Sequence, residues 1–366
     1  MKELSFGRFV GLNNILPVER VRSAETRADP NIEFTVCVNV DFDNSSKFSR
    51  RAGQTIKVAG AAHSLWADGD QCLYVAGGSL YSLSDVFAAT EIAAGLSEQP
   101  MSYVLANERV YHSNNEVTAV LDQGRIRSWG MSIDDISFNG AAVAGQMPAG
   151  TYLFVMTHIR ADGQESGAGQ AKTIDLPDGG GIHFTWVVPD ELDIERCAIY
   201  ISQPNGETMM QAFVLDIEQG STTYIGGGRV LPLATQWLDA PPAGRALAEF
   251  NGRIYIAVDD VVYATSALSY EHCDLRDYRA FDGSTVTTLA AVESGMFVGT
   301  EKGVYFMAGA SFADAGLVKR VNSGAVRGSV TYADGEAVTG SADQAGSTVA
   351  LFATADGIIA GWPNGS

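Results

Sequence analysis

The side chains that could do acid–base or nucleophilic chemistry are few and widely spaced in this sequence of 366 residues. Lone histidines on strands are usually structural, although the axis of a closed β-fold could gather distant ones. The histidines in question are His63, His112, His158, His183 and His272. The sequence has no Gly-x-Ser-x-Gly elbow, His-Glu-x-x-His pair, phosphate-binding loop or dinucleotide fingerprint. We therefore expect a protein that is not an enzyme, and we assign no catalytic residue.

Three acidic stretches could hold a metal or an acid–base pair, and each has a simpler interpretation. Residues 41–45 resemble the start of a calcium loop, but Ser46 and Ala52 stand where such a loop needs Gly and Glu. A hairpin turn is therefore the favoured interpretation there. Residues 190–195 are predicted to form a solvated loop, and residues 271–277 a polar loop between repeats. We expect no metal and no cofactor, and we assign no residue to binding either.

The composition argues against a nucleic-acid-binding surface. The chain has 24 basic and 43 acidic residues and a formal net charge of −19, whereas neutralising phosphates needs clustered Lys and Arg. The basic run at residues 47–51 is interpreted as a solvated turn, although a locally basic channel is compatible with the composition.

Cysteine usage and hydropathy bear on the compartment in which the chain folds. The four cysteines, Cys37, Cys72, Cys197 and Cys273, are scattered without a CxxC motif. We therefore expect free buried thiols in a protein that folds in a reducing cytoplasm. No stretch is predicted to be a signal peptide or to insert into a membrane.

The elements that would position these side chains are repeated β-hairpins. In residues 250–266, Ile254, Ile256 and Val258 alternate with Tyr255 and Ala257, which is the two-residue period of a strand. The chain then turns at Asp259-Asp260, and a second apolar strand follows. Similar units occupy residues 73–83, 109–117, 296–306 and 350–359. Their aligned aromatic residues are Tyr74, Tyr111, Tyr255, Phe297 and Phe352. Successive spacings are 37, 144, 42 and 55 residues, so one interval holds an insertion of about 100 residues beyond a repeat of about 40.

Repeats of this length, each with about four short strands, are typical of β-propeller blades. One blade cannot bury both faces of its sheet, so blades must stack around an axis. Forty glycines can provide the turns, and a hydrophobic fraction of 46% is ample for a core. We predict an all-β fold with a β-propeller of about five to six blades, and the alternative is an ordinary β-sandwich.

The insertion is predicted to be a separate domain over residues 136–245. It has longer strands with long loops between them, and it looks like a fibronectin-type-III or immunoglobulin-like β-sandwich with Trp186 as a core aromatic. Residues 239–244 contain two prolines and a glycine and are predicted to be the exit linker. The propeller would then comprise an N-terminal part, residues 1–135, and a C-terminal part, residues 246–366.

Two motifs stand out in the N-terminal third: residues 7–14 read Gly-Arg-Phe-Val-Gly-Leu-Asn-Asn, and residues 39–53 contain Asn-Val-Asp-Phe-Asp-Asn and then Arg-Arg-Ala-Gly. Together they resemble a pattern found in structural proteins of tailed bacteriophages. In that group, Gly-x-Asn-Asn precedes Asn-Val-Asp-x-Asp-x-x-Gly-x-x-x-Arg-Arg-x-Gly. This chain has Ser46 or Lys47 in place of the turn glycine, and Gln54 where a tyrosine often follows. The motifs are structural turns, and the blade pattern and the insertion extend the resemblance over most of the chain.

The resemblance implies a virion component of the tail, such as a tail nozzle or a tail-tip or fibre-associated protein. Such a protein would assemble in the host cytoplasm as a homo-oligomer with other tail proteins, for DNA delivery or host attachment. A host receptor would be a possible partner, and DNA would be only transient cargo. An acidic surface fits this role because it would repel DNA passing along a lumen.

Two alternative functions stay open on the same scaffold. A receptor- or carbohydrate-binding adhesin would expose aromatic side chains at one end. The candidate residues for that role are Trp66, Trp129, Trp237 and Trp362. A propeller glycoside hydrolase, the less favoured alternative, would gather a carboxylate pair at the axis.

Overall fold

The computed structural model describes residues 8–12, 31–34, 36, 38–42, 48–53, 55–58, 60–191, 193–309, 312 and 315–366. The chain forms two compact units, Met1–Ala59 and Gly60–Ser366. The fold is all-β, as predicted, and several of its sheets have four antiparallel strands. In the ranges described, no helix is long and apolar enough to cross a bilayer.

The described residues of the first unit form two strand pairs. Strand β1 (Arg8–Leu12) pairs in parallel with β2 (Asn31–Phe34), and β3 (Val40–Phe42) pairs in antiparallel fashion with β4 (Phe48–Arg50). The hairpin predicted at residues 41–45 is present as the β3–β4 pair. Its turn, residues 43–47, lies outside the described residues, and Val36 and Val38 before it are exposed.

The second unit begins with two four-stranded antiparallel sheets, in which neighbouring strands are consecutive in sequence. Sheet I consists of β5 (Ala62–Asp68), β6 (Gln71–Ala76), β7 (Ser79–Leu83) and β8 (Ala89–Ala93). Sheet II consists of β9 (Ser102–Ala106), β10 (Arg109–Ser113), β11 (Thr118–Asp122) and β12 (Arg125–Ser128).

A pair of sheets, called here the two-sheet region, follows sheet II. Its strands are β13 (Phe138–Met147), β14 (Gly150–Arg160), β15 (Lys172–Leu176), β16 (Gly180–Trp186), β17 (Ile194–Ser202), β18 (Met209–Asp216) and β19 (Ser221–Tyr224). One sheet has the order β13-β16-β19 and the other β15-β14-β17-β18. Phe184 and Trp186 of the first share one buried core with Phe154 and Ile199 of the second. Trp186 is thus a core aromatic, as predicted.

Three more antiparallel sheets complete the second unit. Sheet III consists of β20 (Ala246–Phe250), β21 (Arg253–Val258), β22 (Val261–Ser266) and β23 (Ser269–Ala280). Sheet IV consists of β24 (Val286–Val292), β25 (Gly295–Thr300), β26 (Val304–Ala308) and β27 (Gly316–Val321). Sheet V consists of β28 (Thr331–Asp334), β29 (Thr348–Thr354) and β30 (Gly357–Gly361), with a short helix α1 (Gly335–Thr339) after β28.

The predicted hairpin repeat is confirmed in all five sheets. The second strand of each sheet carries its aligned aromatic residue, and all five of these rings are buried. Several two-residue turns have positive φ at both positions, the conformation that matches the right-handed twist of the flanking strands. They are Gly77-Gly78, Asn107-Glu108, Gln123-Gly124 and Asn251-Gly252.

Each consecutive pair of the five sheets shares its own apolar core. Representative core pairs are Leu80 with Val110 (sheets I and II), Trp129 with Ile256 (II and III), Tyr255 with Met296 (III and IV) and Phe297 with Phe352 (IV and V). Sheets II and III therefore pack directly on each other, although the two-sheet region separates them in sequence.

Candidate functional site

Strand β23 of sheet III carries the contacts that join the two-sheet region to the sheets around it. The sequence predicted a loop over residues 271–277, and this prediction is wrong, because these residues continue a strand that runs from Ser269 to Ala280. Glu271 and His272 are buried on this strand. A carboxylate this deep needs partners, and the partners of Glu271 come from two parts of the fold, the sheet II segment and the two-sheet region.

Glu271 accepts hydrogen bonds from an arginine and from a backbone amide of the sheet II segment. Arg127 Nη2 donates to Oε1 at 2.7 Å and Arg127 Nη1 donates to Oε2 at 3.1 Å. The backbone N–H of Gly130 donates to Oε2 at 2.9 Å. This two-pronged guanidinium–carboxylate geometry is the stronger and more directional form of ion pair.

Arg160, at the end of β14, brings the two-sheet region into the same cluster. Its side chain is 1% exposed, and its Nη2 donates to Glu191 Oε1 at 2.7 Å and to the carbonyl of Gly130 at 3.1 Å. Its Nε lies 2.9 Å from Asp193 Oδ2. The sequence predicted a solvated loop over residues 190–195, and this is wrong for Glu191 and Asp193, which are only about one-third exposed and neutralise a buried arginine.

A third arginine completes what we call the junction network. Arg109 Nε lies 2.9 Å from Asp122 Oδ2, and Arg109 Nη2 lies 3.2 Å from Asp162 Oδ2 at the turn after β14. The network thus contains three arginines and five carboxylates. Its members are Arg109, Asp122, Arg127, Arg160, Asp162, Glu191, Asp193 and Glu271.

The pKa shifts in the network show opposite charges competing with burial. Burial by itself disfavours the charge of Arg127, but the bonds and charge of Glu271 outweigh it and the pKa of Arg127 is raised. Burial likewise opposes ionisation of Asp162, yet the amide of Gln164 and the nearby arginines lower the pKa of this carboxyl. For Asp193, burial prevails over Arg160 and the pKa is raised. Because the carboxylates are bound to guanidinium groups, the network is suited to holding elements together, and proton transfer would need a free acid or base.

Neutral contacts extend the junction along β23. The backbone amides and carbonyls of Asp239 and Cys273 form two hydrogen bonds of 2.8 Å, which attach the predicted exit linker to the strand. His272 Nε2 lies 2.6 Å from the carbonyl of Glu165, to which it donates, and its Nδ1 is 2.7 Å from Ser269 Oγ. The junction therefore combines a charged centre with backbone pairing.

The other histidines are placed apart from this centre. His112 and His158 are buried in sheet II and the two-sheet region, and burial lowers the pKa of each from 6.5 to about 4. His63 lies 3.7 Å from Glu98, and His183 bonds Thr223. Within the described ranges, no three potential metal ligands among His, Cys, Asp and Glu cluster together. The thiols of Cys72, Cys197 and Cys273 are free, and Cys37 lies outside those ranges.

A cavity of about 870 Å³ lies where the first strands of all five sheets meet. Strands β5, β9, β20, β24 and β28 all contribute to its wall. Asp68 and Glu249 are the carboxylate residues that line it in the part of the chain described, together with two arginines, Arg245 and Arg327.

The candidate tryptophans differ in exposure. Trp129 is buried, and Trp66 is half-buried and stacks on Tyr103 beside the cavity. Trp362 is half-buried. Trp237 is 47% exposed and has a φ of +68°, which is rare for a bulky side chain. It lines a second cavity of about 380 Å³ in the two-sheet region.

Comparison with known proteins gives no family assignment. No family model matches the chain, and no curated protein matches it. A gluconolactonase from Xanthomonas campestris aligns over 82% of this chain and 86% of its own, with 11% identity and a TM-score of 0.27. PorZ, a surface component of the type-IX secretion system of Porphyromonas gingivalis, aligns over 84% of this chain and 40% of its own, with 13% identity and a TM-score of 0.31. A streptogramin B lyase aligns over 83% and 94%, with 11% identity and a TM-score of 0.25. Similarities this low carry no argument about activity.

Proposed function

We propose that the second unit is a five-bladed β-propeller interrupted by an immunoglobulin- or fibronectin-III-like sandwich. In this proposal, sheets I to V are the blades and the two-sheet region is the insertion. Two observations support it. Consecutive sheets share apolar cores in chain order, and the first strands of all five sheets line one cavity. Stacked sheets around an axis have this arrangement.

The function that we propose is that of a non-enzymatic structural protein of a bacteriophage tail, in the nozzle or at the tip or fibre. The observation that carries it is the junction network, which attaches the inserted sandwich to two blades through the buried pair of Arg160 with Glu271 and the partly exposed pair of Arg109 with Asp162. A protein that transmits force or positions neighbours in a tail needs modules that keep a constant orientation. The motifs at residues 7–14 and 39–53, which resemble those of tail proteins, provide the second line of support.

Assembly follows from the same proposal. The protein would form homo-oligomers, join other virion proteins in the host cytoplasm and remain in the virion tail. A net charge of −19 is compatible with DNA as transient cargo, since a surface of the same sign as the DNA backbone does not retain it.

Native mass measurement, with electron micrographs of the same purified sample, tests this function. We expect rings or other closed oligomers, since most homo-oligomers are closed and symmetric. Antibody labelling of phage particles from the source would place the protein on the tail. A monomer at every accessible concentration, together with absence from purified particles, would contradict the proposal.

A second candidate function, a carbohydrate- or receptor-binding adhesin, is favoured by Trp237. Its ring is exposed at a cavity that Phe138, Phe154 and Lys172 also line, and Arg276 lies 5.3 Å from the ring centroid on one face. Aromatic faces combined with nearby polar groups are suited to binding amphipathic ligands. The strained backbone at Trp237 adds weight, because such strain is often found where a side chain is held for a ligand.

Glycan binding by the intact protein tests the adhesin function. For a glycan that the unsubstituted protein binds, we expect Trp237→Ala to abolish binding and Phe87→Ala to leave binding unchanged. Phe87 is a matched control because it is also an exposed aromatic residue with positive φ, at 50% exposure and +62°. Equal binding by both variants would exclude Trp237 as the contact residue.

A further inference from the structure

One end of the 870 Å³ cavity is defined by hydrogen bonds between the starts of its strands. The backbone N–H of Met101 donates to Ser64 Oγ at 2.8 Å, which joins the start of β9 to β5. The backbone N–H of Leu247 donates to Ser102 Oγ at 3.0 Å, which joins the start of β20 to β9. The residues that precede these inner strands therefore lie around the same end of the cavity.

Two arginines lie at that end. Arg327, just before β28, donates from Nη2 to the carbonyl of Pro100 at 2.8 Å and to the carbonyl of Arg245 at 3.1 Å. Arg245 immediately precedes β20, and both side chains line the cavity. The Arg327 guanidinium group thus lies against the backbone of Arg245, in the segment that leads into a different sheet.

Neither arginine is well neutralised by the described residues. Arg245 Nη2 is 3.6 Å from Asp259 Oδ1, but the Asp259 side chain is 83% exposed, and the Arg245 Nε is buried without a hydrogen-bond partner. No ion pair joins Arg327 to a carboxylate in the part of the chain described. The carboxylate of Glu249 lies four residues along β20, roughly 13 Å away in strand rise. In a chain with 43 acidic residues, it is unusual that one cavity-lining arginine pairs only with an exposed carboxylate and the other with none among the described residues.

The electrostatics of the pair agree with the geometry. The pKa of Arg327 is lowered by burial and then by the positive charge of Arg245. Like charges that line one cavity repel each other, so an anion bound between them would remove an unfavourable interaction. The free N–H of Arg245 would gain a hydrogen-bond acceptor at the same time.

We propose that Arg245 and Arg327 form a binding site for a small oxyanion, a phosphate or carboxylate group, at this end of the cavity. Planar guanidinium groups bind both groups through paired hydrogen bonds. A small molecule fits better than a nucleic acid, because the site is in a cavity of limited volume and the chain has a net charge of −19, which opposes a polyanion. The inference is independent of the tail function and would stand if that function were wrong.

Calorimetric titration of the full chain tests the site. The probes are inorganic phosphate, citrate as a carboxylate and a short single-stranded oligonucleotide. We expect phosphate or citrate to bind with a dissociation constant in the millimolar range or below, and to bind more weakly as sodium chloride is added. Arg245→Gln and Arg327→Gln should each weaken binding at least about tenfold, as expected for loss of a charge-assisted hydrogen bond.

Matched variants make the result decisive. Arg320→Gln removes the same charge from an exposed position on β27 and should leave binding unchanged. Arg327→Gln also removes hydrogen bonds to two backbone carbonyls, which contribute to folding. Arg327→Lys keeps the positive charge, and Arg245→Gln keeps the Arg327 side chain, so these two variants distinguish lost binding from lost folding. The proposal is overturned if no small oxyanion binds at millimolar concentrations, if only the oligonucleotide binds, or if Arg320→Gln weakens binding as much as the cavity variants do.

Discussion

The second unit buries two different kinds of interface. Consecutive sheets meet through apolar cores, such as the one in which Tyr255 of sheet III packs with Met296 of sheet IV. The two-sheet region meets sheets II and III through ion pairs and neutral hydrogen bonds, with Arg160 and Glu271 both buried. The first kind of interface is non-directional and tolerates small rotations, whereas guanidinium–carboxylate bonds require one orientation.

The difference suggests what each interface contributes. Apolar burial supplies most of the folding free energy, at about 25 cal/mol for each Å² removed from water. A buried ion pair gains little net stability, because desolvation offsets the attraction, but loss of one partner leaves an uncompensated charge. We infer that the junction network sets the orientation of the two-sheet region, while the cores between sheets provide stability.

The largest expected effect comes from removing the central carboxylate. Glu271→Ala leaves the half-buried Arg127 without its main partner and removes one of the three carboxylates near Arg160, so we expect a loss of about 3–5 kcal/mol in the free energy of unfolding. Chemical denaturation measures it. Asp274→Ala is the control on the same strand, since Asp274 pairs with the exposed Arg276, and it should change little. Comparable losses for both variants would mean that a carboxylate of the junction network contributes no more to stability than an exposed one on the same strand.

Truncating an apolar core residue tests the difference between the cores and the junction network. Met296→Ala removes a fully buried side chain between sheets III and IV and should cost about 2–5 kcal/mol. Hydrogen exchange distinguishes the two variants. Glu271→Ala should raise exchange in β14 before global unfolding, whereas Met296→Ala should raise it mainly through global unfolding. If β14 responds equally to both variants, the division between orientation and stability fails.

A third expected effect is a pH dependence of the free energy of unfolding, which comes from the buried histidines. Burial lowers the pKa of His112 from 6.5 to about 4, so the unfolded chain binds more protons between these values. The stabilisation is therefore complete above pH 6.5 and is lost progressively as the pH falls to about 4. We expect a loss of roughly 2–3 kcal/mol from this residue over that window.

Denaturation at several pH values checks this effect. His112→Phe replaces the imidazole by an aromatic ring that does not titrate and should flatten the pH dependence, while His158 should continue to contribute a loss in the same window because its pKa is also lowered to about 4. An unchanged slope in His112→Phe would falsify the assignment of the loss to this residue.

The smallest expected effect is the difference in stability between two glycine variants, which separates backbone strain from steric crowding at the network. Gly130 and Gly124 have nearly the same φ, +81° and +82°, but an added Cβ at Gly130 would lie 2.7 Å from the carbonyl oxygen of Glu271, and at Gly124 it would meet nothing within 4 Å. Gly124→Ala should cost about 1 kcal/mol for left-handed backbone. Gly130→Ala should cost about 1–3 kcal/mol more, because a close contact is added. Equal melting temperatures would show that β23 can move away from Gly130 freely.

Local patterns in the sequence predicted much of this fold. Alternating strands on both sides of a short turn identified the hairpins, as at residues 253–266, because the two-residue period and the turn conformation depend on neighbouring residues only. The same reasoning identified Trp186 as a core residue. It failed at residues 190–195 and 271–277, where acidic composition suggested exposed loops.

The reason for that failure is physical. Whether a carboxylate is solvated or buried depends on which cation lies opposite, and Arg160 and Glu271 are separated by more than 100 residues. The pairing of Arg245 with Arg327 at the cavity was likewise invisible, because it depends on how the starts of separate sheets converge. The sequence by itself therefore determined the repeated strands, their turns and their apolar faces, which follow from short-range rules. Only the tertiary structure decided which charges meet, because Coulombic partners are chosen by distance in space.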